Sequence, residues 1–272
     1  WVAERAPLLH LCLTTFVQLR LFPETPLPPE LPVFCPAEPQ GGTALLDGAA
    51  EAAFGLSIYT KAVHGHWLRL YSSDEDGLSF NRIAYKILGF GGPTLLLIRD
   101  KATGAVFGGF ADSPWKESNS FFGTASCFLL RLLPDYELYP CKPASEGRYQ
   151  FLNLKGFSLP HGLGMGGRVD SFRLFISEGL DGEDCVARAA CMTYERGPLL
   201  PAERRRFEVD GMEVWGVGGT HSLREAVAAQ QRRRAVVDHN IAKARKVDKA
   251  KFVDNEFDRE MLLGKTFGGG GG

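Results

Sequence analysis

The spacing of hydrophobic residues predicts a helix and a linker at the start of the chain. Between residues 7 and 22, apolar side chains recur every three or four positions, which is typical of one face of a helix. Residues 23–44 then carry a run of prolines, which predicts a linker because proline cannot continue a helix or a central strand. We interpret the helix as the end of a preceding helical region and Trp1 as the start of a fragment.

From residue 67 to residue 217 the pattern changes to short strands separated by turn residues. Apolar runs at 94–98 and 105–110 flank a turn at 100–104 and predict a buried hairpin, whose glycines mark a close approach of backbones. Further strands are predicted at 67–71, 121–133, 137–139, 149–154, 171–176 and 213–217. One helix is predicted between the capping residue Ser79 and Gly89. With so few helices between strands, the pattern favours an α+β fold built on a sandwich of antiparallel sheets.

The end of the chain predicts one long helix over residues 221–263. Ser222 and Glu225 have the spacing of a capping box, and no proline or glycine follows before Val253. Residues 232–251 contain eight basic and two acidic side chains, a charge of +6, whereas the net charge of the whole chain is −1. The glycines at 268–272 carry no fold information.

This basic helix is open to three interpretations. It can be a solvated terminal helix, a contact to nucleic acid or an anionic membrane, or a helix that enters an acidic groove on a protein partner. A thin apolar stripe accompanies the basic side chains, which favours the protein partner. The residues expected to bind the partner are Arg232, Arg233, Arg234, Val237, Ile241, Arg245, Lys249, Phe252 and Phe257.

The sequence predicts no catalytic, cofactor or metal site. Residues 162–167 match the glycine string of dinucleotide-binding proteins, but no helix follows to hold a phosphate, so a glycine-rich turn between closely packed sheets is favoured. His64 and His66 share one side of a strand without a third ligand nearby. Glu213, beside Trp215, is expected to make a structural hydrogen bond.

The six cysteines indicate a reduced protein without a disulfide scaffold. No two of them have the spacing of a zinc or thioredoxin-like motif, and Cys12, Cys127 and Cys191 lie in apolar stretches. A hydrolase or peroxide-handling enzyme that uses Cys127, Cys185 or Cys191 is the enzymatic alternative. The apolar runs are all shorter than a membrane span requires.

The order of several short strings resembles the TLDc domain family. The strings are 70–73, 77–80, 92–98, 106–110, 122–124, 149–151, the glycines of 162–167 and 213–216, and the similarity covers residues 45–218. This resemblance implies a two-sheet antiparallel sandwich with flanking helices and a long C-terminal helix. It also implies that the domain has no established catalytic site.

The resemblance implies a function as well. It suggests a regulator that binds the peripheral, ATP-hydrolysing sector of the vacuolar proton pump. Members with a helical region before the domain and a long helix after it are linked to mTOR signalling at the lysosome. The expected partners are subunits of that sector and mTOR pathway proteins, not nucleic acid, at the cytosolic face of the lysosomal membrane. Oxidation resistance and a lysosomal membrane scaffold are the alternatives.

Overall fold

A computed structural model describes most of the chain between residues 65 and 254. The described residues are 37–39, 42–46, 63, 65–143, 147–155, 158–201 and 204–254, together with His10, Leu13, Thr14, Phe16, Val17, Arg20 and Leu21. In the C-terminal helix, side chains are described at 223–236, 238–240 and 242–243. The chain divides into two compact units, residues 1–227 and 228–272.

The described strands form two sheets. In chain order they are β1 (Ala37–Pro39), β2 (Gly65–Ser72), β3 (Thr94–Asp100), β4 (Val106–Ala111), β5 (Phe128–Leu133), β6 (Glu137–Pro140), β7 (Gln150–Asn153), β8 (Gly162–Arg168), β9 (Ser171–Ser177), β10 (Val186–Ala187) and β11 (Val209–Gly216). The larger sheet has the order β1-β2-β11-β3-β4-β5-β6, and the smaller one β10-β9-β8-β7. Every described pair is antiparallel except β1 with β2. The predicted antiparallel sandwich is confirmed.

The main core lies between the two sheets. Leu96 and Phe107 of the larger sheet pack with Met165 and Leu174 of the smaller one. Gly109 permits the close approach, because a Cβ at this position would lie 2.6 Å from the Sδ atom of Met165. The close approach of backbones predicted for the glycines of residues 105–110 is confirmed at Gly108, where an added Cβ would collide with the carbonyl oxygen of Leu96.

The predicted hairpin and the helix after Ser79 are also present. β3 and β4 are joined by a turn in which the Asp100 carboxylate accepts hydrogen bonds from the amide and hydroxyl of Thr103, at 3.0 and 2.6 Å. Two short helices precede them, α1 (Ser73–Asp76) and α2 (Phe80–Ile87). Ser79 occupies the N-cap position of α2, but its side chain makes no capping hydrogen bond there.

The glycine-rich run differs from the prediction. Residues 162–167, expected to form a turn, belong to β8, which pairs with β7 on one side and β9 on the other. Three of its glycines, Gly162, Gly164 and Gly166, lie against aromatic rings, and a Cβ at Gly164 would stand 2.7 Å from the Phe172 ring. The glycines therefore allow aromatic rings to pack closely against a strand, and the predicted turn is wrong.

Several element boundaries also differ. The strand predicted at 121–133 begins only at Phe128, and a strand, β1, lies within the predicted linker. β1 is at the edge of its sheet, where a proline such as Pro39 is tolerated. The C-terminal helix α3 covers Gly219–Asp254, so Ser222 lies inside its first turn and the predicted capping box is wrong. The described positions between His10 and Leu21 are helical, as their periodicity predicts.

Candidate functional site

The first turns of α3 are part of the sandwich. Leu223 and Ala226 are buried in the main core, and Val227 packs against it. The helix is thus anchored by its own apolar side chains where it leaves β11. From Ala228 onward the residues belong to the second compact unit.

The second unit presents basic side chains to solvent. Arg232, Arg233 and Lys243 are exposed, and the Nε atom of Arg232 donates a hydrogen bond to the carbonyl of Ala228, at 3.2 Å. Val236, among these charges, is 60% exposed. A surface that combines guanidinium groups with an exposed apolar side chain is suited to a partner that offers carboxylates and an apolar contact.

The structure describes only part of the predicted partner-binding set. The side chains of Arg232, Arg233 and Arg234 are described, and Arg234 is half-buried. The side chains of Val237, Ile241, Arg245, Lys249 and Phe252 lie outside the described ones, and Phe257 lies wholly outside the described residues. The predicted apolar stripe thus stays a prediction. Averaged over all of α3, apolar residues show little concentration on one face.

An open groove lies on the outer face of the smaller sheet. Its volume is about 780 Å³, and it is lined by the side chains of Phe172 and Phe175 and by the carboxylates of Asp170, Glu178 and Asp184. The Nδ1 atom of His161 lies 3.1 Å from Glu178 Oε2 at its rim. Because the lining has three acidic residues and one arginine, Arg188, carboxylates are in excess, which suits the groove to a positively charged group.

An aromatic cluster forms the floor of this groove. The rings of Phe172 and Phe175 are stacked with centroids 4.5 Å apart, and Phe151 lies 5.2 Å from Phe172. Sequence reasoning missed this site, since its rings come from β7 and β9 and its carboxylates from loops, and their alignment depends on the fold. The glycines of β8 were the one local signal, because a strand of glycines leaves room for rings on its surface.

Burial makes two of the cysteines weak nucleophiles. Desolvation raises the pKa of Cys127 to about 11, and it also raises the pKa of Cys185. The Cys185 sulfur lies 3.4 Å from the Ser177 hydroxyl, inside the core. At neutral pH these thiols are almost fully protonated, which disfavours a role in nucleophilic catalysis.

Glu213 has the structural role predicted for it. Its carboxylate is 2% exposed and accepts hydrogen bonds from Thr43 Oγ1 at 2.7 Å, the Ala44 amide at 2.7 Å and Trp215 Nε1 at 3.0 Å. Of the two predicted histidines, His66 is exposed on β2 and His64 lies outside the described residues.

Two further findings concern only the part of the chain that the structure describes. There, no three histidine, cysteine or acidic side chains come together in a way that could hold a metal ion. There too, no helix is both long and apolar enough to cross a membrane.

Comparison with known protein families decides the classification. A family model for the TLDc domain matches residues 54–218, more than half of the chain. The chain belongs to the TLDc domain family. The matched residues contain both sheets except β1, together with the open groove on the smaller sheet. The helix α3 begins directly after the last matched residue.

Curated relatives share this TLDc domain within longer chains. The MTOR-associated protein MEAK7 of Xenopus laevis is 37% identical over 176 residues, which are 64% of this chain and 37% of the relative. Its human counterpart is 31% identical over 66% of this chain and 38% of its own length. Oxidation resistance protein 1 of Xenopus laevis is 31% identical over 55% of this chain and 16% of its own length. The chain therefore spans well under half the length of these relatives.

Proposed function

We propose that this TLDc protein is a non-enzymatic regulator that binds a protein partner through its TLDc domain and α3. The observation that carries the proposal is the basic surface of α3 after Ala228, where Arg232, Arg233 and Lys243 are exposed. A helix anchored in a core by its first turns, and basic beyond them, is suited to reaching an acidic surface. The raised thiol pKa of Cys127 supports a binding role over thiol catalysis.

We propose that this regulation belongs to mTOR signalling at the cytosolic face of the lysosome. The relatives named as MTOR-associated proteins support this assignment, because they share the domain at 31% and 37% identity. The partner we propose is the peripheral sector of the vacuolar proton-pumping ATPase, which the family resemblance of the sequence implies. The proposed contacts are Arg232, Arg233, Arg234, Val237, Ile241, Arg245, Lys249, Phe252 and Phe257.

Affinity capture from lysosomal membranes tests the proposal. The full chain is compared with a chain that ends at Val227, because ending it earlier would remove Leu223 and Ala226 from the core. We expect the full chain to retain peripheral-sector subunits and the shortened chain to retain several-fold less, while both unfold cooperatively. Equal retention by the two chains would overturn the role of α3.

An anionic membrane surface is the alternative target of the basic helix. Co-sedimentation with vesicles containing phosphatidylserine, at low and high salt, distinguishes binding to a membrane from binding to a protein partner. Binding to membranes by charge alone falls steeply as salt is raised. Strong vesicle binding without capture of any pump subunit would favour the membrane scaffold over the proposed regulator.

A further inference from the structure

Cys127 and Cys141 flank the last residue pair at one end of the β5–β6 pair. The last paired residues at that end are Phe128 of β5 and Pro140 of β6. Cys127 precedes the first and Cys141 follows the second, so the same register extended by one residue would place the two cysteines opposite each other. Opposite residues of an antiparallel pair have Cα atoms about 4.5–5.5 Å apart, within the range that a disulfide bond spans.

The two side chains lie on the same face of the sheet. Side chains alternate along a strand, and Leu129 and Tyr139, two residues inward, both face the main core. Cys127 is a member of that core, and Cys141 packs against it. The Cys141 Sγ atom lies 3.0 Å from the carbonyl oxygen of Cys127. One thiol is therefore in contact with the residue that carries the other.

The two thiols differ in their access to solvent. Cys127 is 1% exposed, and its Sγ lies 3.4 Å from the Asp112 amide and 3.5 Å from Gln150 Oε1. Cys141 is half-buried, so it is the more exposed of the two cysteines. Accessible and buried members of a thiol pair are suited to successive steps of one oxidation.

We propose that Cys127 and Cys141 form a reversible disulfide bond when the protein encounters a peroxide. The peroxide transfers an oxygen atom to the Cys141 sulfur, which becomes a sulfenic acid as the peroxide O–O bond breaks and an alcohol or water leaves. The Cys127 sulfur then attacks the Cys141 sulfur. The S–O bond of the sulfenic acid breaks, and its oxygen leaves as water with the proton of Cys127. Two thiols lose two electrons and two protons in total, and the peroxide is reduced.

Burial makes this oxidation slow. Desolvation raises the pKa of Cys127 to about 11 and that of Cys141 to about 12, so little thiolate is present at neutral pH. The disulfide bond is therefore expected to form only under sustained oxidation. Each chain forms it once and turns over no substrate, which is compatible with the proposed non-enzymatic role. A thiol reductant is expected to reverse it.

The bond would strengthen a junction between two parts of the domain. Beyond β6, the amide of Glu195 donates to the carbonyl of Pro140 at 2.9 Å, and the amide of Lys142 donates to that of Thr193 at 2.8 Å. A link at Cys141 would therefore hold residues 193–195 as well as β6 against β5. The expected result is a higher melting temperature of the oxidised chain.

Cys191 is the competing partner for Cys141. Its Sγ atom accepts hydrogen bonds from the amides of Thr193 and Tyr194, at 3.3 and 3.2 Å. Tyr194 in turn forms an isolated bridge with Cys141. The experiment must therefore tell a Cys127–Cys141 bond from a Cys141–Cys191 bond.

Peptide mapping of the full chain makes this distinction. Trypsin places the four described cysteines on separate peptides, which are residues 117–131, 132–148, 174–188 and 189–196. After treatment with hydrogen peroxide, alkylation and digestion without reductant, we expect 117–131 joined to 132–148. A link from 132–148 to 189–196, links between chains, or oxidised thiols without any link would each overturn the proposal.

Variants and a stability measurement guard against a folding artefact. Cys141→Ala, at the half-buried position, is expected to abolish the link, and Cys191→Ala is the matched control that should keep it. The melting temperature of the unmodified sequence should rise by several degrees after peroxide and return after dithiothreitol. A link without any change of melting temperature in the Cys191→Ala control would contradict the proposed strengthening of the junction.

Discussion

At the scale of single residues, Glu213 links the segment before β2 to the centre of the larger sheet. Its carboxylate holds Thr43 and Ala44, and the next two residues, Leu45 and Leu46, cover the outer face of that sheet beside Trp215. Removal of the carboxylate would leave the indole N–H of Trp215 buried without its acceptor.

We expect Glu213→Ala to lower the free energy of unfolding by about 2–4 kcal/mol, because it removes three hydrogen bonds to a buried charge. Glu208→Ala is the matched control. Glu208 is half-exposed and pairs with Lys101 at the surface, where solvent screening leaves such a pair with little effect on stability. Urea denaturation measures both changes, and equal losses in the two variants would refute the structural role of Glu213.

At the scale of elements, β8 combines two apolar side chains that face the main core, Leu163 and Met165, with glycines at most of its other positions. Gly162 and Gly164 leave room for the rings of Phe175 and Phe172, which cover the strand from the outer face. Aromatic rings packed over strand glycines replace the side-chain contacts that the strand lacks.

Gly164→Ala should therefore destabilise the domain by about 1–3 kcal/mol, since the new Cβ meets a ring that Phe151 and Phe175 hold in place. Gly182→Ala serves as its control, because the nearest atom there would be 3.8 Å away and ordinary contact results. Unfolding midpoints in urea compare the two. A midpoint for Gly164→Ala as high as that for Gly182→Ala would mean that the rings yield.

The elements also show what local sequence could and could not predict. The β3–β4 hairpin was predictable because its apolar runs flank a turn at Asp100, and α2 because its buried side chains recur at helical spacing. β8 was not, since only Leu163 and Met165 supply an apolar alternation and the glycines around them favoured a turn. The start of α3 was predicted two residues late, because a capping pattern at Ser222 does not report how the helix packs.

At the scale of the whole molecule, a nearly neutral net charge conceals a strong asymmetry. Residues 232–251 carry +6, so the remainder of the chain carries −7. The basic segment could be predicted from sequence, but the carboxylates of Asp170, Glu178 and Asp184 come together only through the fold. Contacts between residues far apart in the sequence are the part of the candidate site that the sequence pattern could not predict.

The affinity of the full chain for the purified peripheral sector of the vacuolar ATPase tests the proposed function most directly. The decisive pair of variants is Arg232→Gln/Arg233→Gln/Arg234→Gln in α3 and Arg204→Gln/Arg205→Gln/Arg206→Gln, an exposed arginine run within the TLDc domain. Both remove three positive charges, so a general effect of net charge would weaken them equally. Proposed binding through α3 predicts a loss of roughly tenfold, about 1.4 kcal/mol, for the α3 variant alone. Equal affinities for all three chains would contradict it.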